Sequence, residues 1–360
     1  MKDLIRAWDG ECVITRFDAP TGAWIFIAIH DRTLGMAMGG CRMQPYGTPE
    51  DGLRDALRLA RGMTLKWAAI DFPFGGGKAV LALPRPIDPA AREGLLLRFG
   101  DLLQSLGGLY GTGVDLGTTP EDMNIVGRRS RWVFGRTAEH GGAGDPGPWT
   151  ALGVHAGLRA ACRHAFGEPS LMSHTVLLQG VGAVGAPLAR RLADEGASLI
   201  LTDAIPGRAE LLAQEIGADT VAPELTYETP CDIFAPCAIG GVLNARSIPR
   251  LRCHVVGGSA NNLLEADSDA VLLHERGILY APDFVINAGG AIAHGALEVL
   301  RWSEQRAKAR VNRIYEALDE IFTESAERKE SPLAEAVRRA DRIIEQAHTA
   351  RQRSDTLQPA

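Results

Sequence analysis

Three charged side chains in the first third of the chain stand where a charge is costly unless it is used. Lys78 follows three glycines in "DFPFGGGKAVLALP" and opens an apolar run of Val80, Leu81 and Leu83. Lys66 lies beside an apolar stripe, three residues after Met63. Asp115 is the one acid in a stretch rich in glycine and threonine, "LYGTGVDLGTT". A lysine acts as a base only if its pKa falls from the ordinary lysine value towards neutrality. Burial and a second cation nearby both disfavour the ammonium form. Asp115 can shuttle a proton and offset the lysines' charge. The glycines Gly75 to Gly77, and the pair Gly39-Gly40 in "MAMGGCRM", offer bare backbone for a ligand. The plainer reading is a solvated lysine behind a glycine loop.

A second constellation lies further on. Gly180-Val181-Gly182-Ala183-Val184-Gly185 follows the apolar run "TVLLQ" and opens "APLARRLADEG", so it joins a predicted strand to a predicted helix. Gly180 permits the tight turn, Gly182 lets backbone approach a pyrophosphate, and Gly185 lets helix and strand close up. The helix N-terminus adds N–H groups and a positive dipole. The next strand, "SLILTD", ends at Asp203. A carboxylate there accepts hydrogen bonds from both ribose hydroxyls and repels a 2′-phosphate, so NAD is expected rather than NADP. Arg208 complicates that choice, and the plainer reading of Asp203 is a helix cap at a strand end.

The elements that must position these groups are partly readable. Residues 12–31 read as two strands joined by "DAPTG", the second apolar on both faces from Trp24 to Ile29. Residues 48–69 read as a helix with Thr48 as N-cap, Pro49 at its first position and Glu50 and Asp51 at its positive end. A short strand over 79–83, a helix over 90–106 and a helix opened by Thr119 and Pro120 follow. "GGAGDPGPWT" is dense in Gly and Pro and marks a boundary. Beyond it a helix runs from Thr150 to about Ala165. Short strands then alternate with helices, the pattern of a parallel doubly wound sheet. From about Gly290 the chain reads as helical and charged. The expected fold is α/β, with an N-terminal α/β substrate and oligomerisation domain over 1–148. A Rossmann-type doubly wound NAD-binding domain spans 149–290, with a cleft between the two. Helices over 291–350 pack back on the first domain, and 351–360 form a polar, frayed tail.

The bulk numbers narrow the function. A chain of 360 residues allows roughly two domains. With 46% hydrophobic and 23% charged residues it suits a globular protein with a sizeable core. A formal net charge of −6 with interspersed signs argues against a nucleic-acid partner. The start, "MKDLIRAWDGE", holds three acids and is not a signal peptide. No run approaches the ~20 apolar residues that span a bilayer, so no membrane partner and a cytoplasmic location are expected. The six cysteines are scattered without a CxxC pair, so neither a metal site nor a disulfide framework is expected.

Several segments together carry a family resemblance. "GLRDALRLARGMTLKWAAIDFPFGGGKAV", "GTGVDLGTTPEDM", "QGVGAVG", "CDIFAPCAIGGVLN", "GSANNLL" and "GILYAPDFVINAGGAI" resemble the leucine/phenylalanine/valine dehydrogenases, the amino-acid dehydrogenase group related to glutamate dehydrogenase. The resemblance runs from about residue 10 to about 345. "FGRTAEHGGAG" and "GGAIAHGALEVLRWSE" are closest to phenylalanine dehydrogenases. It implies a homo-oligomer that oxidatively deaminates an L-amino acid with NAD, giving a 2-oxo acid, ammonia and NADH. It places the catalytic lysine at Lys78 and the catalytic aspartate at Asp115. The substrate carboxylate falls to Lys66 and to the backbone of Gly39 and Gly40. Cofactor contacts fall at Thr150, the loop Gly180 to Gly185, Asp203, Ala235, Cys237, Ala260, Asn261 and Asn287, with Asn262 lining the substrate. The side-chain pocket falls at Met38, Gly113, Ala291 and His294.

The sequence departs from the family at Cys41, where a threonine usually follows the glycine pair, and at Gly113, Ala291 and His294. The small residues Gly113 and Ala291 imply a deep pocket, and Met38 can pack against a ring. Phenylalanine is therefore the first expected substrate, with branched-chain amino acids or tryptophan as alternatives. His294 reads equally as an ordinary helix histidine near the surface. A 2-hydroxy-acid oxidoreductase would call for a His base and an Arg, whereas the first-half motifs offer lysines and an Asp. A non-catalytic NAD-binding sensor would lack Lys66, Lys78 or Asp115, and all three are present. The strand Trp24–Ile29 could pair across a two-fold axis. Dimer, tetramer and octamer stay open.

Overall fold

Two sheets organise the chain in the computed structural model, which describes residues 1–356. Each belongs to its own compact unit. The first unit takes Met1–Asp145, His294–Arg301 and the residues from Ala340 on; the second takes Pro146–Ala293 and Trp302–Arg339.

In the first unit, helix α1 (Lys2–Arg6) precedes strands β1 (Cys12–Asp18), β2 (Ala23–Asp31) and β3 (Ala37–Pro45). Helix α2 (Pro49–Ala69), β4 (Gly75–Leu83), α3 (Pro89–Ser105), β5 (Tyr110–Val114) and α4 (Pro120–Gly127) follow. The sheet order is β1-β2-β4-β3-β5. β2 pairs antiparallel with β1 and β4, whereas β3 pairs parallel with β4 and β5. α2 starts as its sequence dictates: Thr48 and Asp51 form a reciprocal capping box. Its buried face, Leu53, Ala56, Leu57 and Ala60, packs on Phe26, Val80 and Ala82 of the sheet.

Several expectations change here. β4 starts at Gly75 and not at residue 79, so the three glycines and Lys78 are strand residues, all buried, and not a loop before one. A Cβ on Gly76 would lie 2.0 Å from Thr64 Oγ1, and one on Gly77 would lie 2.8 Å from the Tyr110 ring. Packing against α2 and β5, not room for a ligand, demands these glycines. β3 and β5 are strands that the sequence pattern did not reveal. β2 has a neighbour on both sides, so Trp24–Ile29 has no edge free to pair across a two-fold axis; β1 and β5 are the edges.

The second unit opens with α5 (Gly147–Phe166), which starts three residues before Thr150. Next come β6 (Thr175–Gln179), α6 (Gly185–Asp194), β7 (Ser198–Thr202), α7 (Arg208–Ile216), β8 (Asp219–Thr220), β9 (Ile233–Pro236) and β10 (Val255–Val256). In chain order follow α8 (Asp269–Glu275), β11 (Leu279–Tyr280), α9 (Asp283–Ile286), α10 (Gly289–His294), a π-helical turn (Gly295–Val299) that belongs to the first unit, α11 (Glu304–Asn312), α12 (Ile314–Arg328) and α13 (Pro332–Thr356), whose residues up to Arg339 belong to the second unit. All six strands are parallel in the order β11-β10-β9-β6-β7-β8. That is the doubly wound order of dinucleotide-binding sheets, with its switch point between β6 and β9.

The unit boundaries differ from those expected. Residues 302–339 cluster with the second unit, not the first, and α12 packs along α5 through Asp319 to Arg163 and His164. The expected tail, 351–360, continues α13 to Thr356, and 357–360 lie outside the described residues. No described helix is long and apolar enough to cross a membrane.

Candidate active site

Strand order brings the sequence-distant charges together. β3 lies between β4 and β5, so Lys78 and Asp115 belong to segments two strand spacings apart, about 10 Å. Their side chains nevertheless meet, Lys78 Nζ lying 3.0 Å from Asp115 Oδ1. They meet beside Gly40, where a Cβ would lie 2.7 Å from Asp115 Cβ and 2.6 Å from Val114 O. The β3–β4 register runs from Met38↔Gly76 directly to Cys41↔Ala79, so Gly39 and Gly40 have no partner on β4. Tyr110, fully buried, donates its hydroxyl to the Gly39 carbonyl at 2.8 Å, and Trp67 Nε1 donates to Met38 O at 3.2 Å. The glycine pair is thus a fixed piece of backbone beside the ion pair.

Asp115 is held at both ends. Its backbone N–H donates to Thr118 Oγ1 at 3.0 Å, and that hydroxyl donates to Cys41 O at 2.8 Å. Burial works against its charge, yet Lys78 and Arg42 outweigh it and hold the carboxyl below its usual range. Arg42 Nε donates to Asp115 Oδ2 at 2.8 Å, and Nη1 donates to Asp55 Oδ2 at 2.9 Å. Sequence reasoning gave Arg42 no role. The available signal was a charge in the otherwise uncharged strand "AMGGCRMQP". Burial pushes the Cys41 thiol up, which suits a packing role. Lys66 lies in the last turn of α2, half-buried.

Around the expected side-chain pocket, Met38 is buried on β3 and Gly113 lies on β5, opposite Gly40. A Cβ on Gly113 has room, its nearest neighbour being Phe134 O at 3.4 Å. His294 is buried and not a surface residue. Its Nε2 lies 3.2 Å from Gly144 O, its ring faces Gly135, and burial lowers its pKa. Glu298, one turn on in the π-helical segment, accepts the N–H groups of Gly135 at 3.0 Å and Ala143 at 2.9 Å. The sequence analysis missed that buried acid. Ala291 lies on α10 in the second unit.

The second unit presents the glycine loop at the switch point. Gly180 has φ +91°, and a Cβ there would lie 2.7 Å from Ala238 Cβ, in the loop after β9. Gly182 has open space, and a Cβ on Gly185 would lie 1.9 Å from Gly180 O. The three glycines therefore perform three different tasks, as a dinucleotide loop requires. Val181 is buried, whereas Gly182 and Ala183 are exposed and Val184 is half-buried at the start of α6. Asp203 accepts the N–H groups of Val181 and Ile205, both at 2.9 Å, and Arg208 Nη1 lies 3.7 Å away. Gln179 Oε1 and Thr202 Oγ1, at the carboxyl ends of β6 and β7, are buried without a partner. These features fit a dinucleotide. Ala235 is buried in β9, and Cys237 N donates to Gln179 O at 2.7 Å. Asn287 Nδ2 donates to Asn261 Oδ1 at 2.8 Å and to Ser259 O at 3.3 Å. Ala260 is buried, and Asn262 takes φ +52°, a conformation uncommon outside glycine. Thr150 Oγ1 donates to Pro146 O at 3.0 Å, and its hydroxyl lies where a Cβ on Gly290 would fall.

A dinucleotide-type sheet, joined in one chain to a unit in which a buried lysine meets a half-buried aspartate, is an arrangement suited to a dehydrogenase. Residues 21–139 match the Glu/Leu/Phe/Val dehydrogenase dimerisation domain, and residues 202–354 match the Glutamate/Leucine/Phenylalanine/Valine dehydrogenase domain. The chain is 43% identical to a leucine dehydrogenase of Thermoactinomyces intermedius over 344 residues, 96% of this chain and 92% of that one. It is 41% identical to a phenylalanine dehydrogenase of Bacillus thermotolerans over 320 residues, 88% and 83% of the two chains. The crystal structure of L-tryptophan dehydrogenase from Nostoc punctiforme superposes with a TM-score of 0.85 at 36% identity, covering 97% of this chain and 100% of that one. The chain belongs to the Glu/Leu/Phe/Val dehydrogenase family and is an amino-acid dehydrogenase, an oxidoreductase acting on a CH–NH₂ group.

Proposed function

We propose that the protein catalyses the reversible, NAD-dependent oxidative deamination of a large apolar L-amino acid, phenylalanine first, to its 2-oxo acid and ammonia. The observation that carries this reading is the buried Lys78 meeting the half-buried Asp115 beside the bare backbone of Gly40. The glycine loop over 180–185 and Asp203 would hold NAD, which would supply the acceptor for the hydride of the substrate α-carbon. Lys66 and the Gly39-Gly40 backbone hold the substrate carboxylate. Asp115 is ionised and takes up or returns a proton at the substrate nitrogen. Loss of hydride leaves an iminium carbon that water attacks, and the Lys78 amine takes the proton of that water. Asp115 returns its proton to the nitrogen of the resulting carbinolamine, the carbon–nitrogen bond breaks as the carbonyl forms, and the hydroxyl proton departs with the ammonia as ammonium.

The preference for a large side chain rests on Gly113, which leaves space, on the adaptable thioether of Met38 and on the buried His294 ring. The family domain over residues 21–139 is described as a dimerisation domain, and a homo-oligomer is the expected assembly. The test is NADH absorbance with a panel of L-amino acids at alkaline pH. No turnover with any of them defeats the reading. Higher kcat/KM for leucine or valine than for phenylalanine defeats only the aromatic assignment.

A further inference from the structure

The two oxygens of Asp115 are divided between two cations. Oδ1 faces Lys78 Nζ at 3.0 Å, and Oδ2 accepts Arg42 Nε at 2.8 Å. The arginine is itself anchored from behind. Its Nη1 donates to Asp55 Oδ2 at 2.9 Å, which also accepts the Tyr46 hydroxyl at 2.7 Å, while Asp55 Oδ1 accepts Arg58 Nη2 at 2.8 Å. Three elements thus lock one guanidinium: β3 carries it, α2 holds its outer edge, and the segment after β5 holds its inner edge. Only 14% of the Arg42 side chain is exposed.

This arrangement has a consequence for the lysine. A buried lysine paired with one carboxylate of its own would be stabilised as an ammonium, the wrong form for a base. Here the carboxylate is shared, and a second, permanent positive charge sits on its other side. Both effects weaken the hold of Asp115 on the Lys78 ammonium. An arginine suits this task because it never gives up its proton and its planar fork spans two carboxylates.

We propose that Arg42 is a positioning residue that sets the pH at which Lys78 becomes a free base, by sharing the carboxylate of Asp115. The inference rests on the reaction proposed above. The charged and titratable groups around Arg42 are Lys78 on β4, Asp115 after β5, Asp55 and Arg58 on α2, Cys41 on β3 and Tyr46 just after it. The Arg92–Asp122 pair from α3 and α4 also acts on Cys41, and Lys66 lies about three turns beyond Asp55 on α2. Burial pushes the Cys41 thiol up, and burial with the hydrogen bond to Asp55 raises the Tyr46 hydroxyl, so both stay protonated.

The test is the pH profile of kcat/KM for the best L-amino acid with saturating NAD, from neutral to strongly alkaline pH. In Arg42→Met the rising limb should move up by about one unit or more. Activity then falls about tenfold per unit on that limb and recovers at the alkaline end. Arg42→Lys, which keeps the charge, should restore most of the wild-type profile. Asp55→Asn removes a negative charge behind the guanidinium but keeps an acceptor for Tyr46. It should therefore move the limb down. A residue that only braces the fold would lower activity equally at all pH values, or act in the same direction in both variants. Either result, or an unmoved limb in Arg42→Met, overturns the inference. If Arg42→Met does not fold, the direction of Asp55→Asn decides. Wild-type protein without amino-acid-dependent NADH formation defeats the proposed reaction instead, so the two failures are distinguishable.

Discussion

Gly40 and Gly113 face each other across the β3–β5 ladder, yet they should respond to the same added methyl in opposite ways. In Gly40→Ala the new Cβ would fall 2.7 Å from Asp115 Cβ and 2.6 Å from Val114 O, both attached to one short segment. Neither neighbour is the free end of a flexible side chain. The segment must retreat by roughly 1 Å, and a misplacement of that size costs on the order of 10²-fold in rate. The same crowding should cost about 1–3 kcal/mol of stability. The assay compares kcat, the melting temperature and NADH affinity, with Asp115→Ala as the reference for complete loss. The expected result is a fall in kcat of about 10² with NADH affinity within about twofold of wild type, because the glycine loop belongs to the other unit. A Gly40→Ala protein with kcat within about threefold of wild type would refute the claim that Gly40 exists to let Lys78 and Asp115 meet.

Gly113→Ala, by contrast, should fold normally, because its Cβ meets nothing closer than 3.4 Å. It should lower kcat/KM for phenylalanine more than for valine, and equal losses for both would remove Gly113 from the side-chain pocket. Lys78→Ala should lower kcat by about 10²–10⁴-fold while leaving NADH binding nearly intact; near-normal turnover would exclude it as the base. Asp203→Ala removes the acceptor of two loop N–H groups and should weaken NADH binding by about tenfold while narrowing the gap to NADPH. A wild-type preference for NADP would show that Arg208 governs the site. Asp18 is buried, which opposes its charge, but hydrogen bonds from Arg98 and Thr21 hold its pKa below the usual carboxylate range. Its ionised form therefore stabilises the fold above the unfolded carboxylate value, and that stability disappears as pH falls through the lower folded value. Asp18→Asn should cost about 1–3 kcal/mol at pH 7, with the difference shrinking below about pH 4. Urea melts at both pH values check this, and a deficit independent of pH would contradict it.

The second unit was the more legible in sequence, for a physical reason. Parallel strands buried on both faces write short unbroken apolar runs, and the helices between them write a different period. The order of those strands is not written locally, since it depends on which crossover packs on which face. The first unit hid two of its strands. β3 reads "AMGGCRMQP" and β5 reads "YGTGV", and glycine is depleted in ordinary strands. Tertiary packing overrides that propensity. A Cβ on Gly39 of β3 would lie 1.9 Å from Gly77 O, and one on Gly111 of β5 would lie 2.7 Å from the Phe134 ring. The trailing helices show a similar gap: their periodicity announces an apolar face but not the unit it covers, so residues 302–339 were placed on the wrong side of the boundary.

Residue types of the site were visible in sequence, but their partnerships were not. An unusual lysine and an unusual aspartate can each be noticed alone, because each stands among residues that would rather exclude it. That they meet depends on β3 passing between their two strands with no side chain at Gly40. Lys66 was the second cation expected to disfavour the charged form of Lys78. Arg42 is the cation found on the other oxygen of the same carboxylate. It escaped notice because its meaning lies in Asp115 and Asp55, which come from different elements. A charge that acts by sharing a counter-ion leaves no local pattern. It becomes visible only when each oxygen of the Asp115 carboxylate is assigned its donor.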